Sequence, residues 1–190
     1  MRKRFGIDID GTVTRADSLI PYINEQYQLN LTLDDIKEYD LTIAVKTTQE
    51  EFGSWFYKRE AEIYDNSPLN EGAKETLSSW YEDHELIYIS ARGSRLLNET
   101  KEWFNHQEIP FHTVDLIGSH HKIEAAKKHQ VEIFFEDKHD NAVMLHEELN
   151  IPVILFDAPY NRFPTPDGVI RVSNWEEAKR WVDQWLKENK

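Results

Sequence analysis

The sequence predicts an α/β protein: a three-layer, doubly wound parallel sheet of Rossmann-like form, with a small helical cap inserted after the first strand. Short apolar segments alternate with longer segments of helical periodicity along most of the chain. This alternation is typical of a parallel sheet covered by helices on both faces. Between residue 15 and about residue 66 the pattern stays helical with no intervening strand, and this stretch predicts the cap.

The strands are predicted from their apolar residues in chain order. The first covers residues 4–9 and is followed by the cap. Four more strands are predicted after the cap, at residues 86–89, 112–116, 131–135 and 152–156. Residues 157–168 contain three prolines and are predicted to be irregular. The predicted division of the chain is therefore a core of residues 1–14 and 69–190, with residues 15–68 as the cap.

The helices are predicted from their start and stop signals. Within the cap, capping-box sequences begin at Thr32 and Thr48, and residues 66–69 break the helical run. Helices of the core are predicted at residues 70–83, 94–107, 120–130 and 139–149. A last helix is predicted to start at the capping box of Ser173 and to run to the end of the sequence.

The composition limits the classes of partner. Of the 190 residues, 39% are hydrophobic and 30% are charged, which is typical of a soluble globular protein. The 22 basic and 35 acidic residues give a formal net charge of −13. Such a chain repels nucleic-acid polymers, whose binding depends on neutralised phosphates. A small anionic substrate remains compatible with this charge if a metal ion and a few cations act locally.

The sequence also predicts a cytoplasmic protein. No apolar run is long enough to span a bilayer, and the basic start is followed only by a short strand, so neither a membrane anchor nor a secretory signal is expected. There is no cysteine, which excludes disulfides and thiol chemistry. The pattern leaves a homodimer open.

Two aspartates at the end of the first strand are the strongest functional signal. Because strand side chains alternate between faces, Asp8 and Asp10 are expected to point the same way. Like charges at this spacing repel unless a cation lies between them or one is protonated. Oxygen ligands of this kind suit Mg²⁺. Gly11 then permits a tight backbone turn.

Other polar residues follow other predicted strands. Ligands of open parallel sheets bind beyond the carboxyl ends of the strands. Ser90 and Arg92 follow the second strand, Lys122 opens a helix before the fourth strand, and the pair Glu136-Asp137 follows the fourth. We therefore expect these groups to meet the first two aspartates at one edge of the sheet.

This arrangement resembles the haloacid dehalogenase superfamily of phosphohydrolases. The superfamily pattern is DxDGT, then a strand-end Ser or Thr, then Lys, then an acidic pair after a fourth strand. The sequence has matching residues in that order: Asp8, Asp10, Gly11, Thr12, Ser90, Lys122, Glu136 and Asp137. The resemblance covers about residues 1–14 and 70–157. It implies that Mg²⁺ is held by the Asp8 carboxylate, the Asp10 backbone carbonyl and Asp137.

The residue types indicate how such a site works. Asp8 can attack phosphorus and form an aspartyl-phosphate, and Asp10 can protonate the leaving oxygen and later deprotonate water. Ser90 can bind a phosphate oxygen, and Lys122 can neutralise charge beside Asp8. The backbone N–H groups near Gly11 are candidates for the same phosphate site.

Several of these residues have alternative roles. Ser90 could cap the following helix. Arg92 could bind the phosphate or sugar of a substrate, or pair with a surface acid. Glu136 could orient Lys122 or a metal-bound water rather than bind the metal. Asp140 is an alternative acid, or else a first-turn charge on its helix.

The cap sequence is rich in aromatic residues, most of which are needed for its own packing. Trp55 and Phe56 are the candidates for stacking on a planar ring of the substrate. The chain length, the small helical cap, Ser90-Ala91-Arg92 and Glu136-Asp137 are similar to the 5′(3′)-deoxyribonucleotidase family. The resemblance implies a Mg²⁺-dependent phosphomonoesterase acting on (deoxy)nucleoside monophosphates. The alternatives are a sugar-phosphate or other small-molecule phosphatase, a phosphomutase, or a binding module without turnover, which the presence of Asp8 disfavours.

Overall fold

A six-stranded parallel sheet forms the centre of the protein. The structure is a computed structural model that describes residues 1–189. Its strands are β1 (Arg4–Ile7), β2 (Glu85–Ser90), β3 (Thr113–Leu116), β4 (Ile133–Glu136), β5 (Val153–Phe156) and β6 (Val169–Val172). They are ordered β3-β2-β1-β4-β5-β6, and every neighbouring pair is parallel.

Helices cover both faces of this sheet. They are α1 (Ile20–Tyr27), α2 (Leu41–Val45), α3 (Gln49–Asp65), α4 (Ala73–Tyr81), α5 (Leu97–Gln107), α6 (Ile123–Lys128), α7 (His139–Leu149) and α8 (Trp175–Glu188). One apolar core joins the sheet to α4, α5 and α8, and a second joins the opposite face to α6 and α7. The predicted three-layer, doubly wound sheet is therefore confirmed.

The strand order places a binding crevice beside β1. This strand lies between β2 and β4: Phe5 is paired with Leu86 on one side and with Ile133 on the other. The chain leaves β2 toward one edge of the sheet and leaves β4 toward the other. Such a reversal opens a crevice at the carboxyl ends of the central strands.

The helices α1, α2 and α3 lie between β1 and the rest of the core and have apolar clusters of their own. Ile23, Trp55 and Ile63 are buried together in one cluster. A second cluster joins Ile20 and Ile36 to the loop after β5. An isolated antiparallel bridge between Thr14 and Leu69 lies where the chain enters and leaves this region. We refer to residues 15–68 as the cap.

The structure corrects three details of the predicted elements. The first strand ends at Ile7 rather than at residue 9, because residues 9–13 form a turn. The cap is not continuously helical: near Thr32 there is only a short 3-10 turn over Leu33–Asp35. The sequence prediction also missed β6, whose four residues follow directly on the proline-rich loop.

In residues 1–189 no helix has both the length and the apolar character required to cross a lipid bilayer.

Candidate active site

A cavity of about 340 Å³ lies between the carboxyl edge of the sheet and the cap. Its floor contains residues that follow β1, β2 and β4, together with Lys122 from the start of α6. The sequence-predicted residues that line it are Asp8, Asp10, Gly11, Phe56, Ser90, Arg92, Lys122 and Asp137. The turn after β1 is anchored to the neighbouring strand, because the Asp8 N–H donates to the Phe135 carbonyl at 2.9 Å.

Asp8 and Lys122 form a buried ion pair at the base of the cavity. The Lys122 Nζ lies 2.5 Å from Asp8 Oδ1 and 2.8 Å from Glu136 Oε2. Burial raises the pKa of Asp8 well above its usual value, and Lys122 opposes that effect. Burial alone would lower the pKa of Lys122, but Asp8 and Glu136 raise it, so the ammonium stays charged.

Glu136 therefore orients Lys122, which was one of the alternatives left open by the sequence. Its second carboxylate oxygen accepts from the backbone N–H of Lys138 at 3.2 Å and from the side-chain amide of Asn141 at 3.3 Å. Both oxygens of Glu136 are thus engaged with protein donors, and the side chain is buried.

Asp137 is held by the loop that follows β5. The Tyr160 hydroxyl donates to Asp137 Oδ2 at 2.5 Å, and the Asn161 amide donates to the Asp137 carbonyl at 2.6 Å. The other carboxylate oxygen, Oδ1, is buried and has no hydrogen-bond partner among residues 1–189. Burial, followed by the charge of Glu136, raises the pKa of Asp137 to about 7.

These acids fit a divalent cation. Carboxylate oxygens of Asp8, Glu136 and Asp137 lie within 4.8 Å of one another, and all three residues are buried. With Lys122 as their cation, the three carboxylates leave two negative charges in excess when all are ionised. The unpartnered Oδ1 of Asp137 is a free ligand atom. Oxygen donors with this charge suit Mg²⁺.

Gly11 is required by the close approach of the turn to Asp137. Its φ is +81°, and a Cβ at this position would overlap the Asp137 carboxylate. The Gly11 N–H, predicted to bind phosphate, instead donates to the Thr14 hydroxyl at 3.2 Å in this structure.

The Asp10 carboxylate forms a bidentate pair with Arg92. Arg92 Nε donates to Asp10 Oδ2 at 2.9 Å, and Nη2 donates to Oδ1 at 2.7 Å. The sequence expectation was that a cation lies between the side chains of Asp8 and Asp10 or that one of them is protonated, and a shared metal ion stays a prediction. The strand ends before Asp8, so strand alternation does not apply, and each carboxylate has its own basic partner. The side chain of Asp10 is not in the acid cluster, and a metal role would fall to its backbone carbonyl.

Arg92 is a buried residue, not a surface one. Its guanidinium uses two of its N–H groups on Asp10, and a third donates to the Thr100 hydroxyl at 3.3 Å. Burial would lower the pKa of Arg92, but pairing with Asp10 raises it. Arg92 lines the cavity, and three of its N–H groups are engaged by Asp10 and Thr100, so its phosphate-binding role stays a prediction.

Ser90 lies where a phosphate-binding hydroxyl is expected. It ends β2, is buried, and lines the cavity. The hydroxyl oxygen of Ser90 accepts from the backbone N–H of Arg92 at 3.2 Å, which leaves the hydroxyl proton free to be donated. It does not cap α5, whose preceding turn begins at Ser94.

The cap places only one of the two predicted stacking residues at the cavity. Phe56 lines it, together with Phe52. Trp55, which lies on another face of α3, packs instead against Tyr27 and Phe52 in the core of the cap and does not line the cavity. This position corrects the expectation for Trp55.

Three tyrosines at the cavity were missed by the sequence prediction. Tyr160 donates to Asp137, Tyr39 packs edge-on against Tyr160 with ring centroids 5.7 Å apart, and Tyr64 lies against Arg92. Tyr160 follows β5, so the strand-end rule that located the acids could have located it. Tyr39 and Tyr64 belong to the cap and had no local signal that separated them from its other aromatic residues.

Two polar residues have peripheral positions. Asp140, the alternative acid, is exposed, pairs with His139, and lies outside the acid cluster. His120 is exposed and stands at the rim of the cavity, edge-on to Tyr39.

Comparison with known proteins identifies related sequences. The family model for the 5′ nucleotidase, deoxy (pyrimidine), cytosolic type C protein matches residues 2–186. A Halalkalibacterium halodurans protein named as a putative nucleotidase is 54% identical over 186 residues, covering 98% of this chain and 95% of that protein. A nucleotidase of Clostridium acetobutylicum is 28% identical over 183 residues, covering 96% of this chain and 95% of that one.

Solved structures show the same fold at low sequence identity. A haloacid dehalogenase superfamily hydrolase from Geobacter sulfurreducens has a TM-score of 0.61 at 16% identity, covering 95% of this chain and 96% of that chain. A haloacid dehalogenase-like hydrolase from Streptococcus pneumoniae has a TM-score of 0.63 at 14% identity, covering 95% and 98%. The chain therefore has the fold of haloacid dehalogenase-like hydrolases, belongs to the 5′-nucleotidase, deoxy (pyrimidine), cytosolic type C family, and is a phosphoric monoester hydrolase.

Proposed function

We propose that the protein is a Mg²⁺-dependent nucleotidase that removes phosphate from (deoxy)nucleoside monophosphates through an aspartyl-phosphate on Asp8. The observation that carries this proposal is the position of Asp8. Its carboxylate lies at the base of the cavity, 2.5 Å from the Lys122 ammonium and within the cluster of acidic oxygens. A carboxylate held in this way is oriented for attack on a bound phosphate.

The metal would be held by carboxylate oxygens of Asp8 and Asp137 and by the backbone carbonyl of Asp10. When bound, Mg²⁺ supplies positive charge that offsets the charge of the phosphate, so that one anion can approach another. Lys122 adds a fixed positive charge on the other side of Asp8. Glu136 keeps that ammonium in place.

The protein residues divide two chemical steps between them. In the first, an oxygen of Asp8 bonds to phosphorus, the bond from phosphorus to the leaving oxygen breaks, and Asp10 gives its proton to that oxygen. In the second, Asp10 takes a proton from water, and the water oxygen replaces Asp8 on phosphorus. The Ser90 hydroxyl, which has its proton free, donates to a phosphate oxygen in both steps.

The cavity supports a small substrate with a planar apolar part. Its volume lies within the range of small-molecule sites. The wall formed by the cap includes Phe52 and Phe56, whose rings are nearly parallel, with 12° between their planes. A nucleobase fits such a wall better than a sugar does. We infer that the cap acts as a lid that excludes water during the reaction.

The first experiment is a panel of phosphate esters assayed with Mg²⁺ and with the ion removed by chelation. We expect (deoxy)nucleoside monophosphates to be hydrolysed faster than sugar phosphates, and all activity to require the ion. Equal rates on nucleotides and sugar phosphates would overturn the nucleotide assignment. Undiminished activity after chelation would overturn the metal assignment.

The second experiment tests the nucleophile with Asp8→Asn. Because an amide does not form the phosphoryl intermediate, we expect phosphate release to fall below detection while the circular dichroism spectrum is retained. Asp140→Asn is the matched control, since this acid is exposed and lies outside the cluster. Control activity is expected to stay within about twofold of the natural enzyme. Substantial turnover by Asp8→Asn would refute the mechanism.

A further inference from the structure

The orientation of Asp10 is determined by a buried arginine. Both oxygens of Asp10 accept from Arg92, at 2.9 and 2.7 Å. The side chain of Arg92 has no exposed surface, whereas that of Asp10 is 40% exposed and lines the cavity. The carboxylate therefore faces the cavity while its support lies inside the protein.

The guanidinium of Arg92 is itself immobilised from three sides. It donates to the Thr100 hydroxyl, and its central carbon lies 3.8 Å from the ring centroid of Tyr64 and 5.9 Å from that of Trp103. Thr100 and Trp103 belong to α5 of the core, and Tyr64 belongs to α3 of the cap. Residues of the cap and of the core thus both contact the Arg92 guanidinium.

We propose that Arg92 is a positioning residue for proton transfer by Asp10, and that Tyr64 of the cap clamps Arg92 in the orientation that this transfer needs. The proposal rests on the proposed phosphatase reaction. A bidentate guanidinium occupies one lone pair on each carboxylate oxygen and leaves a second lone pair on each. A proton on that second position faces the leaving oxygen of a substrate in the cavity.

The role assigned to Arg92 predicts a dependence on the leaving group. The bond between phosphorus and the leaving oxygen breaks as Asp10 gives its proton to that oxygen. A nucleoside leaves as a strongly basic alkoxide and needs this proton, whereas p-nitrophenolate is a weak base and leaves without it. Displacing Asp10 should therefore slow the first step selectively for the nucleotide.

The experiment compares Arg92→Lys and Arg92→Gln with the natural enzyme at saturating Mg²⁺. Lysine keeps the buried charge opposite Asp10 but does not form the bidentate pair. The quantity measured is kcat/KM, which reports release of the leaving group, for a nucleoside monophosphate and for p-nitrophenyl phosphate. We expect a fall of about 100-fold on the nucleotide and of less than about fivefold on p-nitrophenyl phosphate.

An equal fall on both substrates would overturn the proposal, because loss of phosphate binding or of folded protein affects both alike. If the natural enzyme hydrolyses neither substrate, the proposed function itself fails, which is a different result. A second measurement uses the nucleotide alone: in an Asp10→Asn background, Arg92→Lys should lower kcat/KM no further. A full additional loss there would show that Arg92 acts independently of Asp10.

The cap residue is tested with two substitutions at Tyr64. Tyr64→Phe keeps the ring over the guanidinium, so the ratio of kcat/KM for the two substrates should stay within about twofold of the natural value. Tyr64→Leu removes the aromatic face, and the ratio should shift about tenfold against the nucleotide. An unchanged ratio in Tyr64→Leu would remove Tyr64 from the proposal.

Arg95 provides a matched control for the cap–core contact. Like Arg92, it belongs to the part of the chain outside the cap and stacks on a cap tyrosine, here Tyr57 at 4.1 Å, but its own side chain is exposed. It pairs with Glu60 of the same cap helix. It makes no contact with Asp10. Arg95→Gln should therefore leave the ratio of the two substrates unchanged, and a shift as large as that of Arg92→Lys would show that any cap–core contact has this effect.

Discussion

Acidic side chains that follow the first and fourth strands differ in their neighbours, and so in their chemistry. Asp10 pairs with Arg92, and Glu136 with Lys122. Asp137 has a hydroxyl donor on one oxygen and nothing on the other. Since the intrinsic acidities of Asp and Glu side chains are similar, the partner and the burial of each carboxylate determine its role.

The pH dependence of stability can be predicted for Asp137. Its folded-state pKa of about 7 lies above its usual value of 3.8, so the folded protein holds this proton more tightly than the unfolded chain does. The stabilisation from the protonated form is present below about pH 4 and is lost as the pH rises to about 7. We therefore expect Asp137→Asn, without Mg²⁺ at pH 8, to raise the unfolding midpoint by about 2–4 °C or more.

Added Mg²⁺ should reverse the order of the two unfolding midpoints, so that the natural protein unfolds at the higher temperature. It binds the charged carboxylates of the natural protein and raises the midpoint, whereas Asp137→Asn should show little increase. Thermal unfolding followed by circular dichroism measures both effects, and Asp140→Asn serves as the control because its carboxylate is exposed. A metal-induced increase of equal size in Asp137→Asn would remove this residue from the metal site.

At the scale of elements, the turn after β1 brings Asp8 and the fourth strand together. This turn is closed by a hydrogen bond from the Thr14 N–H to the Ile9 carbonyl at 2.9 Å. The Trp175 indole at the start of α8 donates to the Thr12 carbonyl at 3.1 Å, so the last helix supports the same turn. The position of the turn is therefore determined by parts of the chain far apart in sequence.

Two glycines of the chain should respond oppositely to alanine. Gly11→Ala strains a residue at φ +81° and places a methyl group against Asp137, so we expect a loss of stability of at least about 1 kcal/mol and weaker Mg²⁺ binding. Gly53 lies inside α3 with nothing within 4 Å of a new Cβ, and Gly53→Ala should stabilise the protein by about 0.5–1 kcal/mol. Denaturant unfolding with and without Mg²⁺ measures the stability of both variants. Equal changes in stability for Gly11→Ala and Gly53→Ala would contradict the role assigned to the turn.

At the scale of the whole molecule, we expect the cap and the net charge both to favour small substrates. The cavity lies beneath the cap, and the chain carries a formal charge of −13. We expect oligonucleotides with a terminal phosphate to be hydrolysed with a kcat/KM about 100-fold below that of the matching mononucleotide.

Phosphate release at low and at high salt measures this preference and separates its two causes. Salt screens long-range repulsion, so the part of the preference due to charge should shrink at high salt, and the part due to the cap should remain. Comparable rates on oligonucleotides and mononucleotides would contradict both.

Much of the fold could be predicted because its signals are local. Apolar strands alternating with amphipathic helices predicted the doubly wound parallel sheet, and the motif residues predicted a nucleotidase with the haloacid dehalogenase fold. The sheet, the nucleotidase family and the fold are confirmed. The sixth strand was missed because it directly follows the proline-rich loop and Arg171 interrupts its apolar residues. In the cap, the capping box of Thr48 does start a helix, but the one at Thr32 starts only a short 3-10 turn.

The sequence by itself determined which reactive groups stand at the ends of the strands, because the order of strands and the residue types that follow them are written in the chain. Only the tertiary structure decided which group each one meets. Arg92 reaches Asp10 across 82 positions, and Tyr160 reaches Asp137 across 23. The packing of the cap also determines that Trp55 is buried in the core of the cap and that Phe56 lines the cavity. Such contacts depend on how helices and loops pack against one another, which no local periodicity reports.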